Sequence, residues 1–157
     1  MHTRRELLSQ SARVAAMLAA AGFAPAVFAQ AAAGAGYNAA AFAAKTMPEA
    51  LKAMGAGAPV ESKDVTITGP DIAENGAVVP IGASTALPGV KRLLMLVEKN
   101  PSALAASFEP TDAVEANILT RVKMGQTSDV YAVAILNDGR VLYAKKEVKV
   151  TLGGCGG

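Results

Sequence analysis

The spacing of apolar residues changes near residue 60, from a helical period to the alternation expected of strands. Before the change, Met47, Leu51 and Met54 recur on one face, and Thr46 followed three residues on by Glu49 has the form of a capping box. Pro48 falls in the first turn, where a missing N–H costs no hydrogen bond, and Gly55 closes the helix. An earlier helical turn through Phe42 fits the same pattern. Gly55, Gly57 and Pro59 then mark a linker into the second regime.

From Val60 onward the period is close to two, the spacing of half-buried strands. Val65 and Ile67 alternate with Asp64, Thr66 and Thr68 until Gly69 and Pro70 end the run. A second strand is expected over Ala77 to Ser84, with Pro80 implying an edge or a bulge. Leu93, Leu94, Met95, Leu96 and Val97 are apolar without alternation, so both faces of that strand should be covered, one by the core and the other by the helix or a second protein. A short strand follows over Leu104 to Phe108, before Pro110. Ile118, Thr120, Val122 and Met124 alternate with Leu119, Arg121 and Lys123 in the next. Tyr131, Val133 and Ile135 lead into Asn137, Asp138, Gly139 and Arg140, a tight-hairpin sequence. The returning strand runs from Val141 to Leu152, its apolar set interrupted by Lys146, a signal of a bulge or an exposed edge.

This pattern predicts an all-β fold, an immunoglobulin-like antiparallel sandwich of about seven strands with a short N-terminal helix. The spacing does not fix the strand order. The last strand runs almost directly into Gly153, Gly154, Cys155, Gly156 and Gly157, so a sheet gives that tail a fixed base and glycine gives it a flexible arm.

The other end of the chain changes the picture of composition. Thr3, Arg4, Arg5, Glu6, Leu7 and Leu8 resemble a twin-arginine export motif, followed by an apolar stretch from Val14 to Phe28 and a small-residue exit at Val27 to Ala29. That stretch is mostly alanine, contains Gly22 and Pro25, and falls short of the roughly 20 strongly apolar residues of a spanning helix. It is therefore expected to be a cleavable signal, residues 1–29, that delivers a soluble protein to the bacterial periplasm. A standard secretory signal is the alternative, and either route ends in an oxidising compartment. Residues 30–59 then form a flexible lead-in, low in complexity from Gln30 to Gly36, and the short helix. Residues 60–152 form the sandwich and 153–157 the arm.

Loss of residues 1–29 removes Arg4, Arg5, Arg13 and Glu6, which leaves twelve basic and twelve acidic side chains. No basic excess remains to suggest nucleic acid or an anionic membrane as a partner. His2, the one histidine, leaves with the signal, so neither a Ser-His-Asp nor a Cys-His arrangement can be built, and imidazole metal sites are excluded. The chain has 1 cysteine, so an intramolecular disulfide is impossible. A leftover cysteine in a secreted protein is a reactive thiol or a link between chains.

Cys155 sits among glycines, where no packed core surrounds it and no cation, helix terminus or metal activates its thiol. Lys149 is the nearest basic residue along the chain. A thiol of ordinary acidity on a mobile tip suits carriage better than catalysis, with activation supplied by another protein's site. The run Lys145, Lys146, Glu147 and Lys149 reads as a solvated strand edge. Asp71, Glu74 and Asp112 read as turn residues, and none is assigned chemistry. No catalytic, cofactor-binding or metal-binding residues and no cofactor are expected.

The Gly153-Gly154-Cys155-Gly156-Gly157 ending, the export signal, the helix segment around Ala43 to Leu51 and the seven-strand pattern together resemble the SoxY family, the sulfur-carrier subunits of bacterial thiosulfate oxidation. The resemblance covers essentially the whole chain. It implies that Cys155 is the covalent attachment point, where thiosulfate is joined oxidatively as a cysteine S-thiosulfonate, and that Gly153, Gly154, Gly156 and Gly157 are its flexible arm. It further implies a SoxZ-like subunit as heterodimer partner and transient contacts with SoxXA-like, SoxB-like and SoxCD-like enzymes, which bring the haem and manganese chemistry. The other reading kept open is a periplasmic immunoglobulin-like binding or assembly module cross-linked through its tail thiol.

Overall fold

The structure, a computed structural model, describes residues 37–111 and 113–152. The expected export signal, the lead-in up to Gly36, Asp112 and the arm residues Gly153, Gly154, Cys155, Gly156 and Gly157 lie outside the described residues.

Among the described residues two short helices come first, α1 (Ala39–Ala43) and α2 (Met47–Ala53). Asn38 caps α1, accepting the Ala41 N–H on its side-chain oxygen. At α2 the Thr46 hydroxyl accepts the Glu49 N–H, while the Glu49 carboxylate takes the N–H of Lys45 at 3.0 Å. The box therefore closes one residue earlier than its usual form, in which the acid returns to the cap residue itself. Gly55 ends the helix at φ 67, a left-handed conformation that glycine adopts without penalty, and Ala56 N–H returns to the Leu51 carbonyl at 2.9 Å.

Nine strands follow: β1 (Pro59–Glu61), β2 (Val65–Thr68), β3 (Ile72–Ala73), β4 (Val79–Thr85), β5 (Val90–Val97), β6 (Leu104–Phe108), β7 (Asn117–Val122), β8 (Ser128–Leu136) and β9 (Val141–Val150). The large sheet has the order β1-β9-β8-β5-β6, with β3 also on β9, and the small sheet has the order β2-β4-β7. This is the expected immunoglobulin-like sandwich, enlarged by two short strands, β1 and β3, that run parallel to β9. The strand expected at Val65 and Ile67 is β2, and the residues where the period of two begins, at Val60, form the separate strand β1. A turn at Lys63 and Asp64 puts β1 in the large sheet and β2 in the small one.

Between the sheets lie Val65, Val79, Ile81, Leu93, Met95, Val97, Val130 and Val148, all buried. The outer face of the large sheet carries a second core, in which Leu94, Leu96, Val133 and Ile135 meet Ala41, Ala50 and Leu51 of the helices. Leu93 to Val97 are each 0% exposed, with odd positions facing the sandwich and even ones the helices. The helix is thus the cover for the second face. The expectation of a second protein against this strand is corrected, because no side of it remains open among the described residues. Backbone and side-chain bonds fasten the helices there, with Ala103 N–H donating to Ala44 carbonyl at 2.9 Å and the Ser102 hydroxyl to Phe42 carbonyl.

Pro80 and Lys146 each resolve as a local strand edge, one of the two readings of their sequence signals, and neither makes a bulge. β4 is the middle strand of its sheet, but β2 pairs only with Gly82 to Thr85, so Pro80 lies where β4 has one neighbour, Arg121 of β7, and no bulge is needed. The β8 and β9 register is unbroken through Lys146, which opposes Val130. The expected hairpin is present: Gly139 has φ 90, and Leu136 and Arg140 are bonded at 2.9 Å.

Candidate functional site

Cys155, the expected site of the chemistry, lies outside the described residues, which end at Leu152, three positions before it. β9 is the longest strand, and β8 pairs with it from Val141 to Val148. Beyond Val148 β8 has ended, and the segment of residues 69–76 takes over as neighbour. Lys149 N–H donates to the Asp71 carbonyl at 3.0 Å and Thr151 N–H to the Ala73 carbonyl at 3.1 Å. The Thr151 hydroxyl reaches the Glu74 carbonyl at 3.1 Å, and Gly76 N–H donates to the Leu152 carbonyl at 2.7 Å. From the other side, Val150 N–H is held by the Thr127 hydroxyl at 2.9 Å. Every residue from Lys149 to Leu152 therefore has a backbone group tied down, and residue 153 follows directly.

Local sequence explains why this strap is laid across β9. Gly69 lacks the Cβ that would come within 2.8 Å of Ile81 Cδ1, so the chain passes close over the core as it leaves β2. Pro70 has no N–H with which to extend the β2–β4 pairing that ends at Thr68, and Asn75 closes the return turn by accepting Ala77 N–H at 2.8 Å. The expected turn residues Asp71 and Glu74 do lie here, and Asp71 does more than turn. Its carboxylate pairs with Lys146 Nζ at 2.8 Å, and the same ammonium donates to the Gly69 carbonyl at 2.7 Å. That hydrogen bond from Lys146, reinforced by its charge, holds the exposed Asp71 carboxyl below its ordinary range. Sequence reasoning read Lys146 as an interruption of the strand. The signal that could have placed it is a lysine at an inward position of a strand, which needs an acceptor.

The strap is tied to the rest of the sandwich by a second relay. The Gly76 carbonyl accepts Met124 N–H at 2.7 Å, and Asn100 fastens the same β7–β8 connection, donating to Lys123 carbonyl at 2.7 Å and accepting Gly125 N–H at 3.2 Å. Ser128, the buried polar residue of the core, accepts Lys99 N–H at 3.0 Å and donates to the Asp129 carbonyl. Leu152 itself is 67% exposed, so the anchoring is through backbone and not through side-chain burial.

A cleft of about 910 Å³ lies at the other end of the sandwich, between the β4–β5 and β6–β7 connections, with Thr85, Gly89, Glu115 and Asn117 on its walls. Gly89 also meets the β8–β9 hairpin there, its carbonyl accepting Asn137 N–H at 2.9 Å. Ten residues of β9 separate that hairpin from the arm, roughly 33 Å. Three residues from Leu152 to Cys155 span at most about 11 Å. The cleft thus lies beyond the reach of three residues extended from Leu152. No cluster able to hold a metal ion occurs among the described residues, and no helix there is long and apolar enough to cross a membrane.

A family model described as sulfur oxidation protein SoxY matches residues 50–155, a span that includes Cys155. Among solved structures, the sulfur carrier protein SoxY from Chlorobium limicola f thiosulfatophilum is similar at a TM-score of 0.58 and 31% identity, covering 65% of this chain and 92% of that one. A superoxide reductase (neelaredoxin) from Ignicoccus hospitalis follows at a TM-score of 0.49 and 15% identity, over 55% of this chain and 78% of that one. No curated protein matches the chain at a significant level.

Proposed function

The chain belongs to the SoxY family of sulfur oxidation proteins, and on that premise we propose that it is a sulfur carrier whose cargo is held covalently on Cys155. The observation that carries the reading is the family match running through Cys155, together with a strand whose last residues are laced down immediately before the glycine arm. A carrier needs a fixed base and a mobile tip, and β9 supplies the base.

The loading step joins the Cys155 thiol to thiosulfate with loss of one proton and two electrons, forming a sulfur–sulfur bond and leaving a cysteine S-thiosulfonate. A partner oxidising enzyme of the c-type haem class takes the electrons. Attack of water on the terminal sulfonate then releases sulfate and two protons and leaves a persulfide on Cys155, whose sulfane sulfur a further partner oxidises. Each reaction belongs to the visiting enzyme, and this chain contributes attachment, reach and orientation. Haem and manganese stay with the SoxXA-like, SoxB-like and SoxCD-like visitors.

The twin-arginine-like segment at Arg4 and Arg5 supports a periplasmic site of action, and the family supports a SoxZ-like subunit as lasting partner. Replacement Cys155→Ser tests the carrier role. Thiosulfate-dependent sulfate formation should stop while folding and partner binding persist. Full activity in that variant would leave the cross-linked binding module as the better account.

A further inference from the structure

Residues 69–76 hold the arm's base, yet little apolar burial holds residues 69–76. β3 has two residues, Ile72 is 57% exposed, and Ala73 is its one buried side chain. Segments with few buried contacts and exposed backbone bonds open at low free energy. What distinguishes this one is Lys146, which reaches from β9 in the large sheet to Gly69 at the end of the small one. Its ammonium binds the Gly69 carbonyl and the Asp71 carboxylate, while the Asp71 carbonyl receives the Lys149 N–H. One residue, Asp71, is thereby gripped twice by β9, three positions apart.

We propose that Lys146 is a positioning residue for the carrier arm, which keeps the strap laced to residues 149–152 and so sets the point from which Cys155 swings. The proposal rests on the carrier reading of Cys155. Lys146 is sheltered more than an ordinary surface lysine, with 31% of its side chain exposed against 91% for Asp71, and beside the solvated ion pair it makes a charge-assisted hydrogen bond to the Gly69 carbonyl. Without the ammonium, Asp71 keeps a single backbone bond to β9. Opening then spreads along Ala73, Glu74 and Gly76, and the arm's root retreats to Val150, whose N–H the Thr127 hydroxyl still holds at 2.9 Å. The tether to Cys155 grows from three residues to five. Effective concentration falls as about the −3/2 power of tether length, so presentation at a site matched to the short arm drops roughly twofold.

The test uses the protein with Lys146→Met, which keeps the aliphatic stem, and reads amide exchange beside relaxation by a nitroxide on Cys155, the one cysteine of the chain. The Lys149 and Thr151 amides should exchange about fivefold faster while Val148 stays protected, and the nitroxide's broadening should spread to residues it does not reach in the parent. Lys146→Arg should restore both, and the alkylation rate of Cys155 by iodoacetamide should be the same in all forms. Unchanged exchange and unchanged broadening in Lys146→Met would overturn the proposal. If that variant disturbs the whole sandwich, Asp71→Asn removes the same ion pair at an exposed position, and parent-like Lys149 exchange there overturns it equally. Absence of any sulfur adduct on Cys155 in cells would instead sink the carrier reading and leave the lacing intact.

Discussion

The Leu152 carbonyl accepts the Gly76 amide at 2.7 Å, and the Gly76 carbonyl accepts the Met124 amide at the same distance. Two hydrogen bonds therefore connect the foot of the arm to the β7–β8 connection. Residue 153 follows a point fixed to both sheets, which is what a carrier requires if its cargo is to be presented repeatedly in one direction.

The far cleft gives a negative prediction. Because about 33 Å of β9 lies between it and a tether that spans about 11 Å, the arm cannot rest there. Substitutions Glu115→Gln and Thr85→Ala on its walls should leave the alkylation rate of Cys155 unchanged, in the free thiol and in competition with thiosulfonate loading. A changed rate in either variant would mean that the arm reaches farther than its length allows.

Leu96 is fully buried against α2, so Leu96→Ala should cost about 2–5 kcal/mol in urea unfolding, the range for deleting a large aliphatic side chain from a packed core. A surface role for the strand would instead give a near-neutral change in stability and a loss of partner binding.

Gly69 offers a sharper test of packing. Gly69→Ala puts a Cβ within 2.8 Å of Ile81 Cδ1, and the overpacking should cost about 1–3 kcal/mol. Adding Ile81→Val removes the offending methyl, and the double variant should recover part of that loss by denaturant titration. Strictly additive costs would place the strain elsewhere.

The Asp71 carboxyl titrates below its ordinary 3.8 because Lys146 hydrogen-bonds and charge-stabilises the anion. Its contribution to the strap is full above 3.8 and fades as pH falls through the lowered folded value. Protection of the Lys149 amide should therefore be constant above 3.8 and decline as pH falls below it, ahead of global unfolding. Tyr131 behaves in the opposite sense. Burial first, then the charges of Glu98 and Asp129, push its phenol up to about 12, so its contribution is intact below 10 and lost as pH rises through about 12. Phenolate absorbance should show a late-titrating component near pH 12 that is absent in Tyr131→Phe.

Much of this fold was legible because its strands state their burial in their spacing. Leu104 to Phe108 matches β6, and the Asn137 to Arg140 turn matches the β8–β9 hairpin. The unalternating Leu93 to Val97 declared two covered faces, although the choice between helix and second protein needed the sheet order. β3 was not legible. Two residues give no period, and their pairing with Lys149 and Val150 is set by Gly69, Pro70 and Lys146 acting over 77 positions of sequence. Cys155 was conspicuous among its glycines, whereas its foundation was hidden, since backbone hydrogen bonds at Lys149 to Leu152 leave no mark on side-chain pattern.

The central claim, that Cys155 carries sulfur, is tested most directly by an intact mass spectrum of the protein from cells grown on thiosulfate, before and after reductant. The account predicts reductant-labile sulfur or thiosulfonate additions that map to the peptide bearing Cys155. A bare thiol throughout, or only a disulfide-linked dimer through Cys155, would contradict it.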